Sequence, residues 1–257
     1  MKIKYIILIT ILSLLIVLTI WNFPWLTRYW VLEIYYLNLK NITSMVIISD
    51  IHLESNYEDL STIGTWLKRN NIAMLVIAGD LFDNKHYYMN YQELRSLLRD
   101  AVEKLNLTGI NHIEYIVSET SHDPIITNGT ITLNVNDVIV NVRRGLLMIK
   151  LDNCDNVVYV THGDYISRDG VVAYIINYFF KILGYKLFLE KLLKNILNIP
   201  KNSWLIMGHT HISGIDYEAR VANSGFWISR YGLSSSRTVI LAKCTNEELI
   251  IKLTKLK

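Results

Sequence analysis

The chain contains seven histidines, and five of them, His52, His122, His162, His209 and His211, stand just beyond short apolar runs. "MVIISD" (45–50) leads to His52, "EYIVSE" (114–119) to His122, "VVYVTHGD" (157–164) contains His162, and "WLIMGHTH" (204–211) ends in His209 and His211. A fifth run, "MLVIAGD" (74–80), ends in Asp80, and Asp50 closes the first. A lone histidine is more often a satisfied or exposed residue than a ligand. Five at strand ends share a destination, because ligands of α/β sheets gather beyond the carboxyl ends of the strands. Carboxylates and imidazoles crowded together are costly to desolvate unless a cation binds among them. Donors of these two kinds, with no thiolate, suit Mn, Fe or Zn better than calcium. Six or more such donors favour two divalent metal ions over one.

The elements that must position them follow from the same runs. They are short, rich in Val and Ile and not alternating, the pattern of strands buried on both faces. Between them, Leu60, Ile63 and Leu67, then Leu94, Leu97, Leu98 and Val102, fall at helical spacing. Strand, helix, strand, helix, strand predicts an α/β layered domain over residues 44–257. From Thr130 to Leu151 the sequence alternates and reads as antiparallel strands, and the stretch from Thr238 to Leu256 reads as another pair. The simplest assembly is a two-sheet sandwich flanked by helices.

Residues 171–199 stand apart as a broadly apolar helix or helix pair. Asn177, Gly184, Lys191 and Asn198 recur seven apart as a narrow polar stripe. The segment reads as a core helix, as a basic amphipathic element lying on the membrane, or as a cap over an apolar substrate.

At the start of the chain, Tyr5 to Trp21 carries no charge, and roughly 17 to 25 apolar residues cross a bilayer as a helix. The apolar core of a cleaved signal is shorter and ends in small residues. Here the aromatic stretch "WNFPWLTRYW" follows, which suits the membrane interface. Residues 1–30 are therefore expected to form a single-pass anchor and the membrane lipid bilayer to be a partner, with a slight lean to an external domain. Three Asn-X-Ser/Thr sequons, at Asn41, Asn106 and Asn128, are too common by chance in this Asn- and Thr-rich chain to decide sidedness. Cys154 and Cys244 could pair, remain reduced or be buried, and lack the spacing of a zinc site. A net charge of +3, without a basic run interleaved with aromatics, gives no reason to invoke nucleic acid.

Taken in order, "DIH" (50–52), "GDLFD" (79–83), "SHD" (121–123), "THGD" (161–164) and "GHTH" (208–211) resemble the five motifs of the calcineurin-like metallophosphoesterases. The resemblance spans about Met45 to His211 and continues weakly through "VANSGFW". It implies that Asp50, His52 and His211 hold one metal, His162 and His209 the other, and that Asp80 bridges them. It also implies a metal-activated hydroxide attacking phosphorus, with His122 as proton donor to the leaving oxygen and Asp123 as the group that orients it. Asp83 reads as a supporting partner or a helix-start carboxylate. Ser121 occupies the position of a metal-binding Asn in the family; a water or Glu119 could take over that contact. "HGD" followed by a long apolar segment is similar, in part, to the UDP-2,3-diacylglucosamine pyrophosphohydrolases. That similarity implies a phosphorylated or nucleotide-linked substrate, with a lipid-linked one in view. Arg143 and Arg144 could contact phosphate, although a solvated pair is the preferred reading. The rival class is a non-catalytic membrane binding protein on a degenerate phosphoesterase scaffold.

Overall fold

The structure, a computed structural model, describes residues 2–27, 31–120, 122–127, 129–229 and 234–256; the side chains at 2–9, 11 and 15 lie outside that description. The chain opens with α1 (Lys2–Asn22) and α2 (Pro24–Thr27), followed by β1 (Ile34–Asn38), β2 (Ser44–Ile48), α3 (Ser61–Arg69), β3 (Met74–Ala78), α4 (Tyr91–Lys104) and β4 (His112–Ile116). Then come β5 (Thr130–Val135), β6 (Val138–Arg143), β7 (Leu146–Lys150), β8 (Val157–Thr161), α5 (Gly170–Ile182) and α6 (Phe188–Ile196). The end is β9 (Trp204–Met207), β10 (Gly214–Asp216), β11 (Val221–Asn223), β12 (Thr238–Thr245) and β13 (Glu248–Lys255).

Among the described residues the strands form two mixed sheets, ordered β13-β12-β2-β3-β4-β6-β5 and β1-β7-β8-β9-β11-β10. Successive side chains of a strand point to opposite faces, and β2 shows the result. Met45 and Ile47 enter the layer between the sheets with Val76, Val158, Val160 and Ile206. Val46 and Ile48 face the other way, onto Ile63 and Leu67 of α3 and Leu94 and Leu98 of α4. The outer face of the second sheet, with Tyr159, Leu205 and Met207, is covered by Ala173 of α5 and Leu189 and Leu193 of α6. Helix, sheet, sheet, helix is the layered sandwich that the apolar runs predict.

One expectation needs correcting. β5 and β6 form an antiparallel hairpin through Asn136 and Asp137, both at positive φ as a tight primed turn requires. β7 does not extend it. It crosses to the other sheet, parallel to β1 and antiparallel to β8, because Gly145 turns the chain in the left-handed region and Leu146 N bonds Glu33 O. Among the described residues no helix is long and apolar enough to cross a membrane. The expected anchor, residues 1–30, falls in part on residues outside the description.

Residues 171–199 form a helix pair of mixed character. α6 buries Leu189 and Leu193, as a core helix would. α5 does the reverse: Asn177 is buried, while Val171, Ile175, Tyr178, Phe179 and Ile182 are exposed. Its Asn177 is accounted for inside, donating to Glu190 Oε2 at 2.8 Å and accepting from Leu189 N at 2.8 Å.

Candidate metal centre

Seven residues, six candidate metal donors and His122, converge where the two sheets end together. Asp50 and His52 follow β2, Asp80 follows β3 and His122 follows β4; His162 follows β8, and His209 and His211 follow β9. The first three strands belong to one sheet and the last two to the other, so the centre lies across the seam of the sandwich. Backbone bonds knit the loops: Asp50 N to Gly79 O (3.1 Å), Ile51 N to Asp80 O (2.9 Å), Gly208 N to His162 O (3.0 Å). Asp50, His52, Asp80, His122, His209 and His211 all have φ between 49° and 67°. That left-handed conformation costs of order 1–3 kcal/mol for a residue with a side chain and concentrates at functional sites. Close packing also dictates two glycines. A Cβ on Gly79 would meet the His162 ring, and one on Gly208 would meet the Asp50 carboxylate.

The imidazoles carry the chemistry. His162 Nδ1 lies 2.9 Å from Ala78 O, so it holds the proton and leaves Nε2 as a bare lone pair. His209 Nε2 lies 2.6 Å from Ser167 O, which fixes the opposite tautomer and leaves Nδ1 bare. Those two bare nitrogens face one another at 3.1 Å. Two lone pairs at that distance repel unless a proton or a metal cation sits between them. His52 Nδ1 is bound by Asp83 Oδ1 at 3.1 Å and His122 Nδ1 by Asp83 O at 2.7 Å. Each therefore turns Nε2 towards the cleft. Metal-binding histidines are oriented by just such acceptors on the far nitrogen.

Three groups of donors have atoms within 4.8 Å of one another: Asp50, His52 and His211; His52, Asp80 and His122; Asp50, Asp80 and His162. Asp80 stands centrally, with Oδ1 3.6 Å from His162 Nε2 and Oδ2 3.9 Å from His52 Nε2. His52 Nε2 and Asp80 Oδ1 are buried and lack a hydrogen-bond partner among the described residues. An unpartnered buried acceptor costs about 1–3 kcal/mol. A dication among these atoms removes that cost, so the residues present fit the metal the donor chemistry implies.

Proton equilibria reflect the same crowding. Burial opposes protonation of His162, but the carboxylates of Asp80, Asp164 and Asp50 push it up to about 9. Burial and the neighbouring His162 push His209 down to about 3. Burial would raise Asp50, yet His211, whose Nε2 is 3.1 Å from Oδ1, holds it well below the usual carboxylate range.

Asp123 has a different place from the one expected. Its carboxylate accepts Asp80 N at 2.8 Å, Ser118 N at 2.8 Å and Phe82 N at 3.3 Å. Among the described hydrogen bonds it makes none to His122, which Asp83 orients instead. Burial and the Asp80 charge push Asp123 up to about 6. Asp83 thus supports two imidazoles, and its Oδ2 also accepts Ser55 N at 2.9 Å. Ser121 lies outside the described residues. Glu119 points away from the centre, held by Arg144 Nη2 at 2.8 Å. Arg143 and Arg144 are not a solvated pair; Arg143 Nε binds Glu114 Oε2 at 2.5 Å, and Arg144 reaches Glu119 and Glu33.

Other residues support the centre from within or beside the motifs. Asp164 Oδ2 accepts Glu119 N at 2.6 Å and so holds the loop after β4. Ser167 supplies the carbonyl that sets His209, and Thr210 and Asn223 tie the "GHTH" loop to Glu190 of α6. Asp169 was legible in principle, as a capping residue directly ahead of a helical apolar run; it accepts Val171 N and Val172 N.

Residues 43–213 match the sequence profile described as calcineurin-like phosphoesterase. Among solved structures, a predicted phosphoesterase from Streptococcus pneumoniae TIGR4 aligns over 84% of this chain and 91% of its own, at 11% identity and a TM-score of 0.41. The phosphoesterase Yfce from E. coli aligns over 83% and 100%, at 15% identity and a TM-score of 0.38. An archaeal phosphodiesterase aligns over 82% and 99%, at 12% identity and a TM-score of 0.36. Likenesses so distant carry no argument here, and no curated protein matches the chain. The profile match, however, spans most of the chain and every donor from Asp50 to His211. The chain therefore belongs to the calcineurin-like phosphoesterases, metal-dependent hydrolases whose two-metal chemistry matches the donor set these loops assemble.

Proposed function

We propose that this hydrolase is a membrane-anchored enzyme that cleaves a phosphoester or pyrophosphate bond of a lipid-linked substrate. The observation that carries the catalytic part is the facing pair of bare nitrogens, His162 Nε2 and His209 Nδ1, 3.1 Å apart beside the unpartnered Asp80 Oδ1. In this reading Asp50, His52 and His211 hold one ion, His162 and His209 the other, and Asp80 is shared. Divalent ions bound there supply Lewis acidity, activating water and neutralising charge on the phosphoryl oxygens. The residues do the rest. His122, its Nδ1 fixed on Asp83 O, keeps Nε2 at the cleft to protonate the leaving oxygen. Asp123 holds the Asp80 loop through Asp80 N and Phe82 N, and its own loop through Ser118 N.

The membrane part rests on exposed apolar side chains at two neighbouring places: Val17, Leu18, Ile20 and Trp21 of α1, and Val171, Ile175 and Phe179 of α5. The cleft opens between them, lined by Leu18 and Trp21 on one side and Val171 and Val172 on the other. An external domain is supported by the Cys154–Cys244 disulfide, a bond favoured outside reducing compartments.

Metal content and hydrolysis of bis(p-nitrophenyl) phosphate after loading with Mn or Zn test the catalytic reading. The expected result is two ions per chain and turnover, with Asp80→Asn losing at least one ion and most activity. A protein that holds one ion or none and hydrolyses no phosphoester would instead be the binding protein on a degenerate scaffold. Alkaline carbonate extraction tests the anchor, since release of the full chain from membranes would remove it.

A further inference from the structure

The cleft is larger than one phosphoryl group requires. It encloses about 650 Å3, a size typical of pockets that take drug-sized ligands. Asp and His make its floor. Its outer wall is Leu18, Trp21 and Asn22 at the end of α1, with Arg168, Val171 and Val172 around the start of α5.

Arg168 is the cation of that wall. Its guanidinium carbon lies 4.0 Å from the centroid of the Trp21 ring. The loop around it is tied to the N-terminal helices at four consecutive residues. Trp25 Nε1 donates to Ile166 O (3.1 Å) and Asn22 Nδ2 to Ser167 Oγ (3.1 Å); Arg168 N donates to Asn22 O (2.7 Å) and Asp169 N to Asn22 Oδ1 (3.2 Å). The adjacent Asp169 carboxylate is engaged in capping α5. Among the described residues Arg168 has no ion-pair partner. A guanidinium lying over an indole face can still offer N–H groups to a phosphate in a bidentate manner. The same loop carries Ser167, whose carbonyl sets the His209 tautomer. Arg168 and the metal floor are therefore joined through one turn.

We propose that Arg168, lying over the Trp21 ring, is a specificity-determining residue that binds a second phosphate of the substrate, and that the substrate class is amphiphilic diphosphates. This rests on the hydrolase reading above and extends it. One phosphate sits over the metal floor and the other against Arg168, while the apolar part lies along Leu18, Val171 and Val172. In the reaction, water adds to one phosphorus, the anhydride P–O bond breaks, and the departing phosphate takes the proton from His122. Dodecyl diphosphate would give dodecyl phosphate and inorganic phosphate.

The test uses the full-length, metal-loaded protein with two substrates, dodecyl diphosphate and bis(p-nitrophenyl) phosphate. A third probe, dodecyl methylenediphosphonate, cannot be cleaved at its bridge and reports binding by calorimetry. Arg168→Ala is expected to raise KM for the diphosphate about tenfold more than for the single-phosphoryl substrate, to leave kcat less affected, and to weaken diphosphonate binding about tenfold. Arg168→Lys should recover part of the loss, and Trp21→Ala should show a smaller loss of the same kind. Equal losses on both substrates, or none on either, would overturn the proposal. So would a wild-type protein that hydrolyses bis(p-nitrophenyl) phosphate but shows no preference for the diphosphate. Failure of the wild type on both substrates would instead sink the hydrolase reading beneath it.

Discussion

A histidine can offer a lone pair to a metal only if its proton is held on the other ring nitrogen. Ala78 O, Ser167 O, Asp83 Oδ1 and Asp83 O do this for His162, His209, His52 and His122. The arrangement separates two roles that adjacency in "SHD" merges. At φ 67° the backbone of His122 is left-handed, so its ring and the Asp123 carboxylate leave the chain in different directions. Asp123 then serves the Asp80 loop. Asp123→Asn replaces an acceptor of three buried N–H groups by one that must present its own N–H to them. It should destabilise the fold by about 1–3 kcal/mol and weaken metal binding about tenfold, read by thermal melting and metal titration. The shape of the pH–rate profile should not change, because Asp83 rather than Asp123 orients the imidazole; a displaced limb would restore Asp123 as the orienter. The residues that gather at the centre were thus legible from residue type and position. Of their supports Asp83 was legible as well, whereas Ala78 O and Ser167 O were not, because they are backbone carbonyls, which no side-chain pattern records.

At the scale of elements, the parallel strands and α3 and α4 were readable because burial on one or two faces leaves a period in the sequence. The sheet that β7 joins was not, since an apolar strand after a turn fits either sheet. α5 and α6 were read as one stripe, yet the stripe residue Asn177 is an interior contact of Glu190. Glu190 is fully buried and accepts Asn177 Nδ2 (2.8 Å), Thr210 Oγ1 (2.7 Å) and Asn223 Nδ2 (2.8 Å). It is met by polar groups from α5, the "GHTH" loop and β11, and by no cation among its described hydrogen bonds. Burial therefore raises its carboxyl above the ordinary value despite those bonds. A carboxyl raised in the folded state favours folding while protonated, and that contribution is lost as pH rises past the unfolded value of about 4.3 towards the folded one. Wild type should lose stability relative to Glu190→Gln across that window, measured as the difference in melting temperature from pH 4 to pH 8. A gap that widens in favour of wild type with rising pH would contradict the assignment.

Across the whole molecule, the sandwich is closed at both ends by different chemistry. The candidate metal donors and His122 follow β2, β3, β4, β8 and β9 and join the sheets at one end. The disulfide lies at the other: Cys154 precedes β8, and Cys244 ends β12, which runs antiparallel to β2, with Cys244 N bound to Thr43 O just before β2 begins. It closes a separation of 90 residues, for which the chain-entropy account gives about 4–5 kcal/mol. Binding of metal to the folded state alone contributes about 2.7 kcal/mol at a hundredfold excess over Kd. Because the two closures share no residue and stand at opposite ends of the strands, their effects should add. Chelation and reduction applied separately should each lower the melting temperature, and together should lower it by nearly the sum. Reduction alone should leave both ions bound, since among the described hydrogen bonds none joins a donor loop to either cysteine. If reduction released metal, the sheets would be coupled more tightly than two independent closures allow, and the disulfide would have to be counted as part of the site.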